Sequence, residues 1–248
     1  MKKTRYIFFF LVLVQGGNLS AQYRFVKDTL DASGDSVVVT ATRTERKLSS
    51  ITVPVTIINA KTIQQNGSLR LTDILKEQTG LNLTSGFGAG IQLQGLNPDY
   101  TIILINGEPL VGRTAGVLDL NRIALGNIKK IEIVKGPSSS LYGSEAMAGV
   151  INIITDATMG SPLTIGLRYG TYNTVDANLE TKFQTKNFQY QGFINSYNTD
   201  GYSIRPNSNS RVRTPIERYS TTQQFKWELS SKTNFVLNTR YTNEQIQN

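Results

Sequence analysis

The sequence predicts an α+β domain, built from a small mixed sheet with short helices, followed by an incomplete antiparallel transmembrane β-barrel. Helix and strand signals alternate over residues 51–157, as they do in a compact domain with one core. Over residues 158–248, apolar and polar residues alternate with a period of two, in segments of roughly ten residues that match a tilted transmembrane strand. These two observations set the expected domain boundaries.

The chain begins with the order of features found in a secretory signal peptide. Lys2 and Lys3 precede the apolar run 6–14, and the small residue Ala21 follows a short polar stretch. The apolar run is too short to span a bilayer as a helix. We therefore expect residues 1–21 to be a signal peptide.

A mobile leader is expected over residues 22–50, because this stretch is mostly polar and has no helical periodicity. Within it, the segment 36–43 is rich in β-branched residues and is therefore expected to be extended. The neighbouring sequence offers no hairpin partner. We expect an unpaired strand that is available to the edge of another sheet.

The elements of the first domain follow from local signals. Two short helices are predicted at 61–66 and 71–78, because a glycine that can end a helix follows each of them. The pair Asn106-Gly107 is the strongest short signal for a hairpin turn. The glycines of residues 86–90 imitate a dinucleotide fingerprint, but a strand follows them instead of a helix, so we expect a flexible loop. Strands are predicted at 53–58, 91–95, 101–105, 128–134 and 150–155, and a third helix at 141–146.

Five alternating segments follow, at 163–169, 175–183, 188–194, 219–229 and 235–241. This alternation fits a soluble antiparallel sheet as well as a membrane barrel, since both have one polar and one apolar face. The connections favour the barrel. Those around Lys186 and Ser231 are short, whereas the one over 199–217 is long and polar. Outer-membrane barrels have short turns on the periplasmic side and longer loops outside.

Composition excludes several kinds of chemistry. The 248 residues include no cysteine and no histidine, which rules out disulfides, Cys/His zinc sites and His-based catalytic triads. Composition leaves carboxylates, Lys, Tyr and Ser as conceivable catalytic groups. With the resemblance described below, we expect no enzymatic activity, no cofactor and no metal site. The net charge is +8, but basic residues cluster only at 43–47 and 211–213, so we expect no nucleic-acid binding.

Three sequence blocks resemble the TonB-dependent receptor family. SVVVTATR at 36–43 is similar to the family's TonB box. IQLQGLNPDYTIILINGEPL at 91–110 is similar to a strand and hairpin of the family's plug domain, with Asn106 in place of the usual Asp. IKKIEIVKGPSSSLYGSEAMAGVINIIT at 128–155 is the most distinctive plug block, and its Gly136-Pro137 pair ends a strand because proline cannot donate to a β-ladder.

The resemblance implies a receptor in the outer membrane of a Gram-negative bacterium, with a plug inside a barrel of about 22 strands. It implies contact with outer-membrane lipid, coupling to the inner-membrane TonB complex, and active uptake of a scarce small chelate or vitamin-like ligand. Ferric siderophores, haem, cobalamin and glycans all remain open as ligands. The alternative is a non-transporting binding or signalling protein that reuses a plug. Because five strands cannot close a barrel, we expect a fragment or a truncated product.

The resemblance also implies three groups of site residues. The TonB-coupling residues are Ser36, Val37, Val38, Val39, Thr40, Ala41 and Thr42. The ligand contacts, in apical loops of the plug, are Ser85, Gly86, Phe87, Gly88, Arg113 and Thr114. The plug's structural residues are Asn106, Gly107, Gly136, Pro137, Tyr142, Gly143 and Gly149. Phe87 offers an aromatic surface and Arg113 offers a cation for an anionic chelate; the alternative is that either packs against the barrel wall or a lumen carboxylate. Tyr142 is able to pack between plug and wall.

Overall fold

The structure of this chain is a computed structural model. It describes residues 37–38, 46–47, 53–86, 88–113, 117–156, 161–202, 214–230 and 232–246. All of these residues belong to one compact unit, Asp35–Asn248. Within the described ranges, no helix combines the length and the apolar character needed to cross a membrane.

Short helices and strands alternate in the first domain, and only strands follow it. In chain order the elements are β1 (Val37–Val38), β2 (Arg46–Lys47), β3 (Val55–Asn59), α1 (Ala60–Gln65), α2 (Leu71–Leu75), β4 (Leu81–Gly86), β5 (Gly88–Leu93), β6 (Thr101–Ile105), β7 (Glu108–Pro109), β8 (Ile128–Lys135), α3 (Ser139–Tyr142), β9 (Gly149–Thr155), β10 (Leu163–Gly170), β11 (Thr174–Gln184), β12 (Phe188–Thr199), β13 (Ile216–Ser230) and β14 (Thr233–Ile246). Single 3-10 turns lie at Pro98–Tyr100, Leu120–Arg122 and Ser144–Ala146.

A mixed five-stranded sheet organises the first domain, in the order β3-β8-β9-β6-β7. Its neighbouring strands are antiparallel, except that β6 and β9 run parallel. The turn between β6 and β7 has φ values of 52° at Asn106 and 82° at Gly107, as a two-residue hairpin loop requires. The predicted α+β class with a small mixed sheet is therefore confirmed.

The core of this domain covers both faces of the mixed sheet. On one face, α2 buries Leu71, Ile74 and Leu75 completely, and each buried side chain of this size contributes about 2 kcal/mol to the hydrophobic stabilisation. The other face carries a smaller cluster, formed by Ile102, Leu104, Val134, Ala146 and Val150. The sheet and its helices are thus fixed as one rigid body.

The second part of the chain is an antiparallel meander of the five strands β10 to β14, called the wall below. Each strand pairs with the next one along the chain. The strands β11 to β14 have 11 to 15 residues, long enough to cross a bilayer at a tilt. Among the described strands, β10 and β14 are the two edges, so these five strands form an open sheet.

A hairpin, β4–β5, replaces the flexible loop expected around residues 86–90. Its glycines allow close approach of neighbouring atoms, which is a different role from flexibility. A Cβ atom at Gly88 would lie 2.7 Å from Cβ of Asp119, and one at Gly90 would lie 2.8 Å from Oγ1 of Thr84. Such contacts are shorter than real Cβ atoms tolerate. The expectation of a loop was wrong because it treated these glycines as local signals only.

The segment expected to be an unpaired strand has a partner. The two residues of β1 pair antiparallel with β2, in the register Val37 with Lys47 and Val38 with Arg46. This two-stranded ribbon is separate from the five-stranded sheet. The expectation failed because Arg46 and Lys47 have low intrinsic strand propensity and gave no strand signal.

Candidate functional site

The two faces of the wall differ in polarity. Side chains of β11 at Asp176, Asn178, Glu180 and Lys182 lie on the face that packs against the α+β domain, and three of them are buried there. The intervening side chains point away from the domain. The same alternation continues through the register of β12, β13 and β14. The interface between the domain and the wall is therefore built mainly from polar side chains.

Arg70 is the centre of this interface. Its guanidinium donates hydrogen bonds to Oδ1 of Asp176 at 3.0 Å and to Oδ1 of Asn195 at 2.8 Å, and it lies 4.3 Å from the ring centroid of Tyr197. Asn195 also donates to Oδ1 of Asp176 at 2.7 Å. All four residues are at most 4% exposed, so these charge-assisted contacts lie where water screens them poorly.

The local backbone holds Arg70 in place. It precedes the first residue of α2, and its N–H donates to Oδ2 of Asp73 at 2.9 Å. Burial lowers the pKa of Arg70 from its ordinary value, Asp176 opposes this effect, and the nearby Arg218 adds to it. Arginine nevertheless stays protonated in proteins. The cluster is therefore a buried ion pair between the start of α2 and the wall.

A second group of charges joins the 3-10 turn at Leu120–Arg122 to the wall. Glu244 accepts hydrogen bonds from Nε of Arg218 at 2.6 Å and from Nη2 of Arg122 at 3.4 Å. Arg218 also donates to the backbone carbonyl of Asn121, whose side chain accepts from Thr72 at 2.7 Å. The carboxylate on β14 is therefore shared by two arginines, one from the wall and one from the domain.

A third group of polar contacts holds the C-terminal end of the α+β domain against the wall. Nζ of Lys182 lies 3.2 Å from Oδ2 of Asp156 and 3.3 Å from Oε1 of Glu180. Gln191 donates to the Asp156 carbonyl at 2.6 Å and to Oε1 of Glu180 at 3.1 Å. Because Asp156 directly follows β9, these contacts fix the point where the chain leaves the mixed sheet.

A cavity of about 690 Å³ lies between the β4–β5 hairpin and the ends of β12, β13 and β14. Gly88 and Ala89 line it, and the Ala89 N–H donates to Oδ1 of Asp119 at 3.1 Å. Ser85 and Gly86 form the end of β4 and are not among the residues that line this cavity, and Phe87 lies outside the described residues. Of this group of predicted ligand contacts, the structure therefore brings Gly88 to the edge of a cavity.

Arg113 lies elsewhere. Its guanidinium donates to the carbonyl oxygens of Pro98 at 3.4 Å and of Thr101 at 3.2 Å, and lies 4.0 Å from carboxylates of Asp99 and Glu145. It lines a small pocket behind β5 instead of the 690 Å³ cavity. Thr114 is outside the described residues. The two predicted groups of ligand contacts thus occupy different sides of the β4–β5 hairpin.

The TonB-coupling residues are only partly described. Val37 and Val38 form β1, and Ser36, Val39, Thr40, Ala41 and Thr42 lie outside the described residues. For the plug's structural residues, the backbone agrees with the expected turns. The φ angles are 149° at Gly136, 78° at Gly143 and 155° at Gly149, a region that favours glycine. A Cβ atom at Gly149 would overlap the carbonyl oxygen of Val134.

Tyr142 packs on the smaller apolar cluster within the α+β domain, formed around Val134 and Val150. Its packing between the plug and the rest of a barrel wall stays a prediction. The chain following Pro137 turns back through α3 onto the sheet, which brings the ring over that cluster. The described contacts between the domain and the wall involve residues that were not predicted from the sequence: Arg70, Asp156, Asp176, Lys182, Gln191, Asn195, Tyr197, Arg218 and Glu244. For Asp176 and Lys182, the polar alternation along β11 was the available sequence signal.

Comparison with known proteins identifies the first domain. A family model described as TonB-dependent Receptor Plug Domain matches residues 47–150. The vitamin B12 transporter BtuB of Vibrio vulnificus (strain CMCP6) is 33% identical over 160 residues, which are 62% of this chain and 25% of that protein. BtuB of Vibrio cholerae serotype O1 (strain ATCC 39541) is 34% identical over 179 residues, which are 69% of this chain and 29% of that protein. This chain spans about a quarter of the length of the curated relatives it matches.

Solved structures share the fold. The open form of the ferric-catecholate import receptor Fiu from Escherichia coli K12 superposes with a TM-score of 0.63 at 21% identity, covering 81% of this chain and 28% of that one. The ferric enterobactin receptor PfeA of Pseudomonas aeruginosa, as a point mutant, superposes with a TM-score of 0.63 at 22% identity, covering 85% of this chain and 35% of that one. These coverages extend beyond the plug into the wall.

Together, the mixed sheet, the polar interface and the long antiparallel strands define a plug domain docked on part of a β-barrel wall. The chain belongs to the TonB-dependent receptor family.

Proposed function

We propose that this chain is part of an outer-membrane receptor that takes up a small ligand with energy delivered by TonB, and that it has no enzymatic role. The observation that carries the proposal is the plug docked on the wall through the buried Arg70–Asp176 pair. Such a plug closes the lumen of a barrel that is otherwise wide enough to be an aqueous channel. Opening it requires work on the plug.

The outward face of the wall supports a position in the membrane. Aromatic rings cluster on it, with centroids 5.2 to 6.5 Å apart, at Phe183, Phe188, Tyr190, Phe225, Trp227 and Phe235. Above them in the same register lie Leu163, Ile165, Leu167 and Ile194, all exposed. An apolar outward band with an aromatic girdle suits lipid, because amphipathic rings favour the interface between headgroups and acyl chains.

Energy coupling is proposed for residues 36–42, from which Val37 and Val38 form β1. The ribbon of β1 with β2 pairs only two residues on each strand. An isolated two-stranded ribbon of this kind is marginally stable in water. A sheet edge of TonB can therefore compete for the backbone of β1 by strand addition, which needs extended backbone more than particular side chains.

Ligand contact is proposed at residues 85–88 and at Arg113 and Thr114. Gly88 of the β4–β5 hairpin lines the 690 Å³ cavity, a volume that suits a compact chelate or vitamin. Arg113 is held by two backbone carbonyls and lies near two carboxylates. Its contribution to an anionic ligand is therefore smaller than that of an isolated cation. Cobalamin, named for the Vibrio relatives, and ferric siderophores, named for the structural neighbours, are the first ligands to test.

The experiment that tests the proposal is Val38→Pro in the receptor expressed in a strain that lacks its own uptake of the ligand. Proline removes a backbone donor and cannot complete a strand-addition ladder. We expect uptake of radiolabelled ligand to stop while equilibrium binding to intact cells is unchanged. Val38→Ile, which keeps the β-branched side chain, is the matched control and should transport normally.

A host without TonB provides the second control, since it should give the same loss with the unmodified chain. Unchanged uptake by the Val38→Pro variant would refute the coupling role. Unchanged affinity in both Phe87→Ala and Arg113→Ala variants would remove these two residues from the ligand site.

A further inference from the structure

A second cavity lies farther along the same wall strands than the cavity beside the β4–β5 hairpin. It has a volume of about 460 Å³ and lies between the β6–β7 hairpin and the inward faces of β12, β13 and β14. A smaller cavity of about 60 Å³ shares several of its lining residues, among them Phe193, Thr222 and Arg240. Arg240 therefore lies where the two spaces meet.

Arg240 lies on the plug-facing side of β14. It pairs with Thr222 in the register of β13 and β14, and Thr222 pairs in turn with Phe193 on β12, whose ring contacts the plug at Gly126. The guanidinium is thus directed towards the plug and away from the aromatic outward face. It remains accessible to solvent, as a cation that receives a ligand must be.

Within the described part of the chain, the guanidinium of Arg240 has no hydrogen bond and no ion pair. The contrast with Glu244 is informative, because Glu244 is the inward carboxylate of the same strand and is already shared by Arg218 and Arg122. Four residues along a strand correspond to about 13 Å, too far for Glu244 to reach Arg240. A solvent-accessible guanidinium at the edge of a cavity can bind an anion through charge-assisted hydrogen bonds.

The rest of the cavity lining suits an oxyanion. Amide and hydroxyl groups of Asn127, Thr222, Gln224 and Asn238 surround the space next to Arg240. The carboxylate in the lining is Glu108, which lines the larger cavity only and is absent from the lining of the smaller one. The small cavity carries Arg122 in addition to Arg240. The positive potential is therefore strongest at the junction and weakest near the β6–β7 hairpin.

We propose that Arg240, with the amide and hydroxyl groups around it, forms an internal binding site for an anionic group, a carboxylate or phosphate type of oxyanion, between the plug and the wall. The site deepens the proposed uptake function, on which it rests, by giving anionic ligands a second place to bind after the apical site. A guanidinium binds such groups through two parallel hydrogen bonds, and neutral amides complete the shell.

The test uses the purified full-length receptor in detergent at low ionic strength, with inorganic phosphate as the probe and phosphorus NMR line broadening as the measurement. We expect saturable binding by the unmodified receptor and binding at least about tenfold weaker in Arg240→Gln, since hydrogen bonds to a charged group are lost. Arg240→Lys, which keeps the charge, should retain most of the affinity. Phosphate binding retained by Arg240→Lys would also show that the weaker binding of Arg240→Gln does not come from misfolding.

Lys226→Gln is the matched control. Lys226 is also an inward cation of the wall, but it is paired with Glu228 at 3.7 Å and does not line either cavity. This variant should bind phosphate like the unmodified receptor. Equal phosphate binding by the unmodified receptor and Arg240→Gln, an equal loss in Lys226→Gln, or no saturable binding at all would each overturn the inference.

Uptake of an anionic ferric tris-catecholate by cells separates the two proposals. Failure of the unmodified receptor to take up this chelate, cobalamin or a neutral ferric tris-hydroxamate would count against the proposed function and leave the phosphate result as it stands. Normal uptake of the anionic chelate with Arg240→Gln, together with unchanged phosphate affinity, would remove only the internal site.

Discussion

Replacing Asp176 by alanine should release the plug locally from the wall. Both partners of the Arg70–Asp176 pair are buried, with side chains 3% and 6% exposed, so the variant leaves an arginine charge away from water. Breaking a buried pair in this way costs about 3 to 5 kcal/mol. We expect the lower end of this range, because Arg70 keeps its hydrogen bond to Asn195 and its contact with the Tyr197 ring.

Amide hydrogen exchange over residues 69–75 measures this effect directly, because α2 must leave the wall for these amides to exchange by local opening. A cost of about 3 kcal/mol corresponds to exchange that is about a hundredfold faster. Asp176→Asn should have a smaller effect, since its amide oxygen still accepts from Arg70. Glu228→Ala is the control, because its pair with Lys226 is largely exposed and contributes at most about 1 kcal/mol. Exchange rates in Asp176→Ala within threefold of the unmodified protein would refute the reasoning.

Three further substitutions test the fold. Gly149→Ala should destabilise the plug by about 3 kcal/mol in urea unfolding, because its Cβ would overlap a backbone carbonyl of β8, and a value below about 1 kcal/mol would contradict the packing argument. Asn106→Ala should cost about 2 kcal/mol in the same assay, through strain at positive φ and loss of the hydrogen bonds to Thr155; Asn106→Gly should recover part of it. Tyr190→Phe removes the phenol that donates to Gln223 on the outward face and should lower the wall's unfolding free energy by about 1 kcal/mol, whereas no change would show that lipid or water replaces the bond.

Elements with strong local signals were predictable from the sequence. The strand over residues 101–105 is observed as Thr101–Ile105, and the turn that follows has the expected positive φ angles. Both depend on neighbouring residues: a run of buried apolar side chains and an Asn-Gly pair. The glycine after α1 also ends its helix as expected, with φ of 62° at Gly67. Local backbone preference determines each of these features.

Features that depend on distant contacts were not predictable. The role of Gly88 in β5 depends on close approach to Asp119, which lies about thirty positions later in the chain. Arg70 meets Asp176, which is 106 positions later in the chain. A single sequence shows that β11 has a polar face, but it does not show which plug residue that face receives. The position of the candidate site therefore followed from the family resemblance, whereas the contacts that hold the plug required the structure.

The chemistry of the interface explains how a plug can be both fixed and movable. An apolar interface would gain stability with every contact, and moving the plug would expose all of that surface to water. Water can replace neutral hydrogen bonds at a net cost of only about 1 kcal/mol each. The Arg70–Asp176 pair is costly to break, so it fixes α2 against β11 and β12. Farther along the wall, Arg218 of β13 and Glu244 of β14 contact Asn121 and Arg122 of the plug, whereas the cavity beside Arg240 separates another part of the plug from the same two strands. Among the five described wall strands, the buried Arg70–Asp176 pair therefore holds the plug at β11 and β12, and moving the plug away from the wall needs less work at the cavity beside Arg240.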